Sequence, residues 1–66
     1  MNISASKIDI FLAKRGMTKA ELAEGIGLHR QNISTILRRG TCEPRTAGKL
    51  AAGLGVSVEE IIAKEA

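Results

Sequence analysis

Few residues in this chain are equipped for chemistry. Among 66 residues there is one histidine (His29), one cysteine (Cys42) and seven carboxylates. His29 has no thiol, carboxylate or second imidazole at the spacing a metal ligand or general base needs. Cys42 lacks a second thiol for a disulfide or zinc site and an evident partner to activate it as a nucleophile, so it reads as a free thiol. Gly25-x-Gly27 has neither a preceding strand nor the full glycine spacing of a nucleotide-binding loop, and reads as a turn. An enzyme is therefore not expected, nor a metal or cofactor. What stands out is the run from Arg30 to Arg39, in which Arg30, Gln31, Asn32, Ser34, Thr35, Arg38 and Arg39 occur without one acid between Glu24 and Glu43. Guanidinium and carboxamide groups make paired hydrogen bonds to flat donor–acceptor edges.

Such groups act together only if an element lines them up. Strict apolar–polar alternation does not persist anywhere, and Val, Thr and aromatic residues are sparse, which argues against strands. Short helical patterns follow one another instead. Ser4 or Ser6 starts the first, with Ala5, Ile8, Phe11 and Leu12 on one face, and Gly16 ends it after Lys14-Arg15. Thr18-x-x-Glu21 is a capping box for a second, with Leu22, Ala23 and Ile26 inward. A third runs from His29 or Arg30 to Arg39, and Gly40 closes it. Pro44 interrupts the pattern. A fourth runs from about Arg45 to Gly53 with Ala47, Leu50, Ala51 and Leu54 inward, and Ser57-x-x-Glu60 caps a fifth with Val58, Ile61 and Ile62. The expected fold is all-α: five short helices in one domain spanning residues 1–66.

The spacing between the second and third helices is specific. Counting from Lys19, the fifth residue is Ala23, the ninth Gly27, the tenth Leu28, and the fifteenth and eighteenth are Ile33 and Ile36. A small residue lets two helices cross closely, glycine permits the turn, and the apolar residues plug the second helix onto the core. This is a helix-turn-helix over about residues 18–39. At 100° per residue, Ile36 and Leu37 lie within about 60° of Ile33, while Gln31, Ser34, Thr35 and Arg38 fall opposite, flanked by Arg30 and Asn32. A merely solvated helix face usually mixes Glu with Lys. An acid-free face of Arg, Gln and Asn suits guanine and adenine edges in the major groove of double-stranded DNA.

Composition agrees. The net charge of +3 conceals an uneven spread: residues 1–49 hold nine basic and four acidic side chains, whereas residues 50–66 hold Lys64 against Glu59, Glu60 and Glu65. A single Phe and no Trp or Tyr speak against readers of single strands, which stack bases on aromatic rings. No apolar run approaches the ~20 residues that cross a bilayer, and the N-terminus lacks a signal peptide's apolar stretch, so a cytoplasmic chain without a membrane partner is expected.

The stretch from Gly16 to Leu37, with the later Lys49-Leu-Ala-Ala-Gly-Leu-Gly-Val-Ser-Val-Glu-Glu-Ile-Ile, resembles the lambda-repressor/Cro-like (XRE-type) helix-turn-helix family. The resemblance covers nearly the whole chain from Ile8 to Ile62. It implies a compact five-helix DNA-binding domain with His29 at the N-cap of the recognition helix. Arg30, Gln31 and Thr35 match base-reading positions, and Asn32 and Ser34 are candidates for base or phosphate contact. Lys19 matches a phosphate-anchoring position, and Arg38, Arg39, Thr41 and Arg45 occupy the helix end and loop that lie along the DNA backbone. Two departures stand out. Leu12 and Leu37 occupy the positions where many members carry a buried Arg–Glu pair, and Leu37-Arg-Arg-Gly makes the exit of the third helix about one residue long.

The resemblance further implies a homodimer, a repressor of transcription on a near-palindromic operator. The preferred pairing surface is residues 55–62, including Gly55, Val56, Val58, Ile61 and Ile62. Gly48 and Ala52 form a small-residue face on the fourth helix, and Gly48 and Gly53 each cost about 1 kcal/mol relative to Ala, which makes close packing by a partner worth testing. The alternative function is a protein-interaction module, antitoxin-like or an adaptor, that uses the same fold as scaffold.

Overall fold

Local signals set the helix ends. In the computed structural model, which describes residues 1–63, the chain forms α1 (Ala5–Arg15), α2 (Lys19–Ile26), α3 (Arg30–Arg39) and α4 (Pro44–Leu54), then a 3₁₀ turn (Val58–Glu60). Ser4 is the cap of α1, its hydroxyl accepting from Lys7 N–H at 3.2 Å. The capping box of α2 is complete: Glu21 N–H donates to Thr18 Oγ1 at 3.1 Å and Thr18 N–H to Glu21 Oε1 at 3.0 Å. Pro44 opens α4 at its first turn, where the missing N–H costs nothing. The turn between α2 and α3 depends on Gly27 at φ +76°, a left-handed conformation that residues with a Cβ rarely adopt.

The inward stripes meet as their spacing predicts. Ile8 and Leu12 from α1, Leu22 and Ala23 from α2, Ile33 and Leu37 from α3, and Leu50, Ala51 and Leu54 from α4 form one core, with Ala5, Phe11, Ile26 and Ile36 packed at its margin. Leu12 and Leu37 are both in it, and no polar or charged side chain among the described residues is buried. An apolar pair thus stands where the resemblance would place an ion pair, a replacement that is often neutral or stabilising.

The expected fifth helix is instead the single 3₁₀ turn. Its capping pair forms, with Ser57 N–H donating to Glu60 Oε2 at 2.8 Å. The chain beyond it pairs with the N-terminus rather than with itself. Ser4 N–H donates to the Ile61 carbonyl at 2.8 Å and Ala63 N–H to the Asn2 carbonyl at 3.2 Å. A segment paired in this way cannot continue a helix. The N-terminal segment brings in a core residue that helical periodicity does not reveal: Ile3 is 3% exposed. Two isolated antiparallel bridges, Asn2 with Thr41 and Ile3 with Ile62, are its only extended pairings, and no strand forms among the described residues.

Gly53 has its explanation inside the chain. A Cβ built there would lie 2.6 Å from Ile26 Cγ2 and 2.7 Å from Leu22 Cδ1, so this glycine lets α4 approach α2. Leu22 is fully packed and the branched Ile26 is stiff about χ1, so neither yields easily. Gly48, by contrast, faces open space. Gly53→Ala is therefore expected to destabilise the fold by about 1–3 kcal/mol through overpacking, offset in part by helix propensity. Gly48→Ala should stabilise it by about 0.4–1 kcal/mol. Urea denaturation of the two variants checks the pair, and a shift of both in the same direction contradicts the assignment.

Candidate nucleic-acid interface

α3 is held by one side and bare on the other. Ile33 and Leu37 are buried and Ile36 half-buried, while Arg30, Gln31, Asn32, Ser34 and Arg38 are exposed and Thr35 is half-buried. Arg30, Gln31, Ser34, Thr35 and Arg38 line one shallow hollow along the helix. A second hollow, lined by Thr35, Ile36, Arg39, Thr41, Cys42 and Glu43 among others, shares Thr35 with the first. Asn32, Lys19 and Arg45 line neither, although all three are exposed. Among the described residues, no hydrogen bond or ion pair engages the side chains of Arg30, Gln31, Asn32, Ser34, Arg38 or Arg39. The donors and acceptors of this face are all available to an external partner.

Electrostatics sharpen the picture. No side chain caps α3 at His29 or α4 at Glu43, so their first-turn N–H groups add partial positive charge beside Arg30 and Arg45. The N-terminus of α2 differs, because Glu21 of the capping box already places a carboxylate there. The positive charge beside that end of α2 is therefore mainly the exposed Lys19 ammonium itself. Glu43 is the feature the sequence pattern does not reveal at this surface. It shares the second hollow with Arg39 and Thr41, so that end carries mixed charge while the α3 face stays free of acids. The acidic end is described only in part: Glu59 and Glu60 are exposed, and Lys64 and Glu65 lie outside the described residues.

The five residues expected to pair two copies are unequal. Gly55 is exposed and Val56, Val58 and Ile62 are half-buried, but Ile61 is 0% exposed within its own chain. Ile61 therefore belongs to the core of the protomer and offers no side-chain surface to a second one.

Cys42 is half-buried in the second hollow. Burial raises its thiol pKa; the charged amino group of Met1 opposes the rise and Glu43 adds to it. Because the thiolate is disfavoured in the fold, any stability from this effect is present below the unfolded pKa and is lost as pH rises through the folded one. The same shift predicts that the thiol of the folded protein reacts with iodoacetamide at neutral pH more slowly than in urea. Equal or faster reaction in the folded protein would count against it.

A short helix crossing its neighbour through a glycine turn, with an acid-free polar face outward, defines a helix-turn-helix nucleic-acid-binding domain. The chain belongs to the Cro/C1-type helix-turn-helix DNA-binding domain family, whose pattern matches residues 7–66. That family is a DNA-binding domain and not an enzyme family. The chain is also similar to Antitoxin HigA-1 of Vibrio cholerae serotype O1, with 41% identity over 49 residues. The aligned region covers 74% of this chain and 47% of that relative, so the chain spans about half the length of the protein it matches. Among the described residues, no cluster of side chains suits a metal ion, and no helix is long and apolar enough to cross a membrane.

Proposed function

We propose that this protein is a sequence-specific binder of double-stranded DNA that represses transcription as a homodimer on a near-palindromic operator. The observation that carries the reading is the face of α3, where Arg30, Gln31, Ser34, Thr35 and Arg38 line one acid-free hollow and their side chains make no hydrogen bond or ion pair among the described residues. In this reading α3 enters the major groove. Arg30, Gln31 and Thr35 address base edges, with Asn32 and Ser34 beside them. Lys19, Arg38, Arg39, Thr41 and Arg45 hold phosphates on either side. Two copies pair through the accessible part of residues 55–62, which sets half-sites about 34 Å apart, one turn of DNA.

Selection from a pool of random duplexes, together with solution mass with and without the selected DNA, tests this reading. The expected result is an enriched sequence with two-fold symmetry, bound by two chains. Failure to enrich any sequence removes the specific-binding function. The likeness to an antitoxin favours a second reading, in which the helix-turn-helix serves as scaffold for a protein partner. That reading predicts a tight protein complex and no preference among duplexes at physiological salt.

A further inference from the structure

Residues 1–4 lie between two segments far from them in sequence and bond to both. Ile3 N–H donates to the Gly40 carbonyl at 2.9 Å and Cys42 N–H to the Met1 carbonyl at 3.0 Å. On the other edge, Ser4 N–H reaches the Ile61 carbonyl at 2.8 Å and Asn2 accepts from Ala63 N–H at 3.2 Å. The Ile3 side chain, 3% exposed, anchors this strap in the core. Thr41 stands opposite Asn2 between these flanking bonds, as a non-hydrogen-bonded antiparallel pair, so its own N–H and C=O turn away from the strap. Among the described residues, the backbone hydrogen bonds that hold Cys42 and the Gly40 carbonyl all go to the strap. The segment between α3 and α4 is thus shaped by residues about forty positions earlier in the chain.

We propose that Ile3, with the strap of residues 1–4, is the positioning element of the DNA-backbone contact: it holds the loop that follows Arg39 so that Thr41 and the end of α3 meet phosphates in a fixed arrangement. This rests on the DNA-binding reading above. Met1 borders Thr35 in the second hollow, but the strap's long-range backbone hydrogen bonds go to Gly40, Cys42, Ile61 and Ala63 and to no residue of the α3 hollow, so its contribution is to affinity for the backbone and not to base choice. A loop ordered before binding loses less conformational freedom on binding, and all duplexes benefit equally.

The test measures dissociation constants at several salt concentrations for the wild type, Ile3→Ala and Ile3→Val. Each is titrated with a short mixed-sequence duplex and with the duplex obtained by selection, at a temperature where circular dichroism shows the variants folded. Ile3→Ala is expected to weaken both duplexes alike, by about tenfold, and to reduce the salt slope by about 1, while Ile3→Val restores both. If Ile3→Ala folds less stably yet binds with wild-type affinity and slope, Ile3 is a core residue only and the proposal is overturned. Should Ile3→Ala not fold, amide exchange in the wild type decides. Coupling is reciprocal, so the mixed-sequence duplex must slow exchange at the Ile3 and Cys42 N–H groups, and unchanged exchange overturns the proposal. A wild type that binds neither duplex removes the DNA-binding reading itself. A wild type that binds, with a variant that binds equally well, removes only the role of the strap.

Discussion

Leu50→Ala should remove a large part of the fold's stability at room temperature. Leu50 is 0% exposed, in the middle of α4, and belongs to the core to which all four α-helices contribute. Truncation removes its transfer free energy and leaves a cavity that surrounding helices fill only in part, a combination that costs about 2–5 kcal/mol. A chain of this size has a total stability of about 3–10 kcal/mol, at roughly 0.05–0.15 kcal/mol per residue, so one such cavity removes much of it. The variant should show a lower urea midpoint with an unchanged slope, or no folded baseline at all. Ile10→Ala is the matched control: Ile10 is 53% exposed, and its loss should move stability by less than about 0.5 kcal/mol. A Leu50→Ala change as small as that of Ile10→Ala contradicts the core described above.

The second large effect concerns recognition. Gln31→Ala should lose about 1–3 kcal/mol on the selected duplex and far less on a scrambled one, with base choice relaxed at one position. Gln31 is exposed in the first turn of α3, where recognition-helix residues reach base edges, and its carboxamide has no partner among the described residues. Its removal therefore breaks nothing inside the protein. Arg30→Ala is expected to behave similarly. Lys19→Ala supplies the contrast: it should weaken both duplexes equally and lower the salt slope by about 1, because an ammonium on a phosphate carries no sequence information. Equal losses on both duplexes for Gln31→Ala would transfer that residue from the base-reading set to the backbone set.

The strap and the glycine at position 53 carry a further lesson. Both are sites where the chain meets itself across a long sequence separation, and neither resembles what local patterning suggests there. Gly53 breaks helix propensity, which invites a search for an external partner; the close approach it permits is to Leu22 and Ile26 of the same chain. Ile61 fits the apolar pattern of an interfacial helix, yet it fills the protomer's own core. Glu43 counts simply as a loop acid until the fold sets it in one hollow with Arg39 and Thr41.

The sequence alone determined the four α-helices, the side-chain caps of α1 and α2, the helix-turn-helix crossing and the polar face of α3. Each of these rests on interactions within a few residues: a hydroxyl reaching an N–H three positions on, a glycine in a left-handed turn, side chains recurring every three or four residues. Tertiary structure alone decided the N-terminal strap, the 3₁₀ turn in place of a fifth helix and the burial of Ile3 and Ile61. The strap joins its neighbours through backbone N–H and C=O groups, which almost every residue carries. Pairing of that kind leaves no signature in residue type, and it appears only once the four helices have brought residues 1–4, 40–42 and 61–63 together.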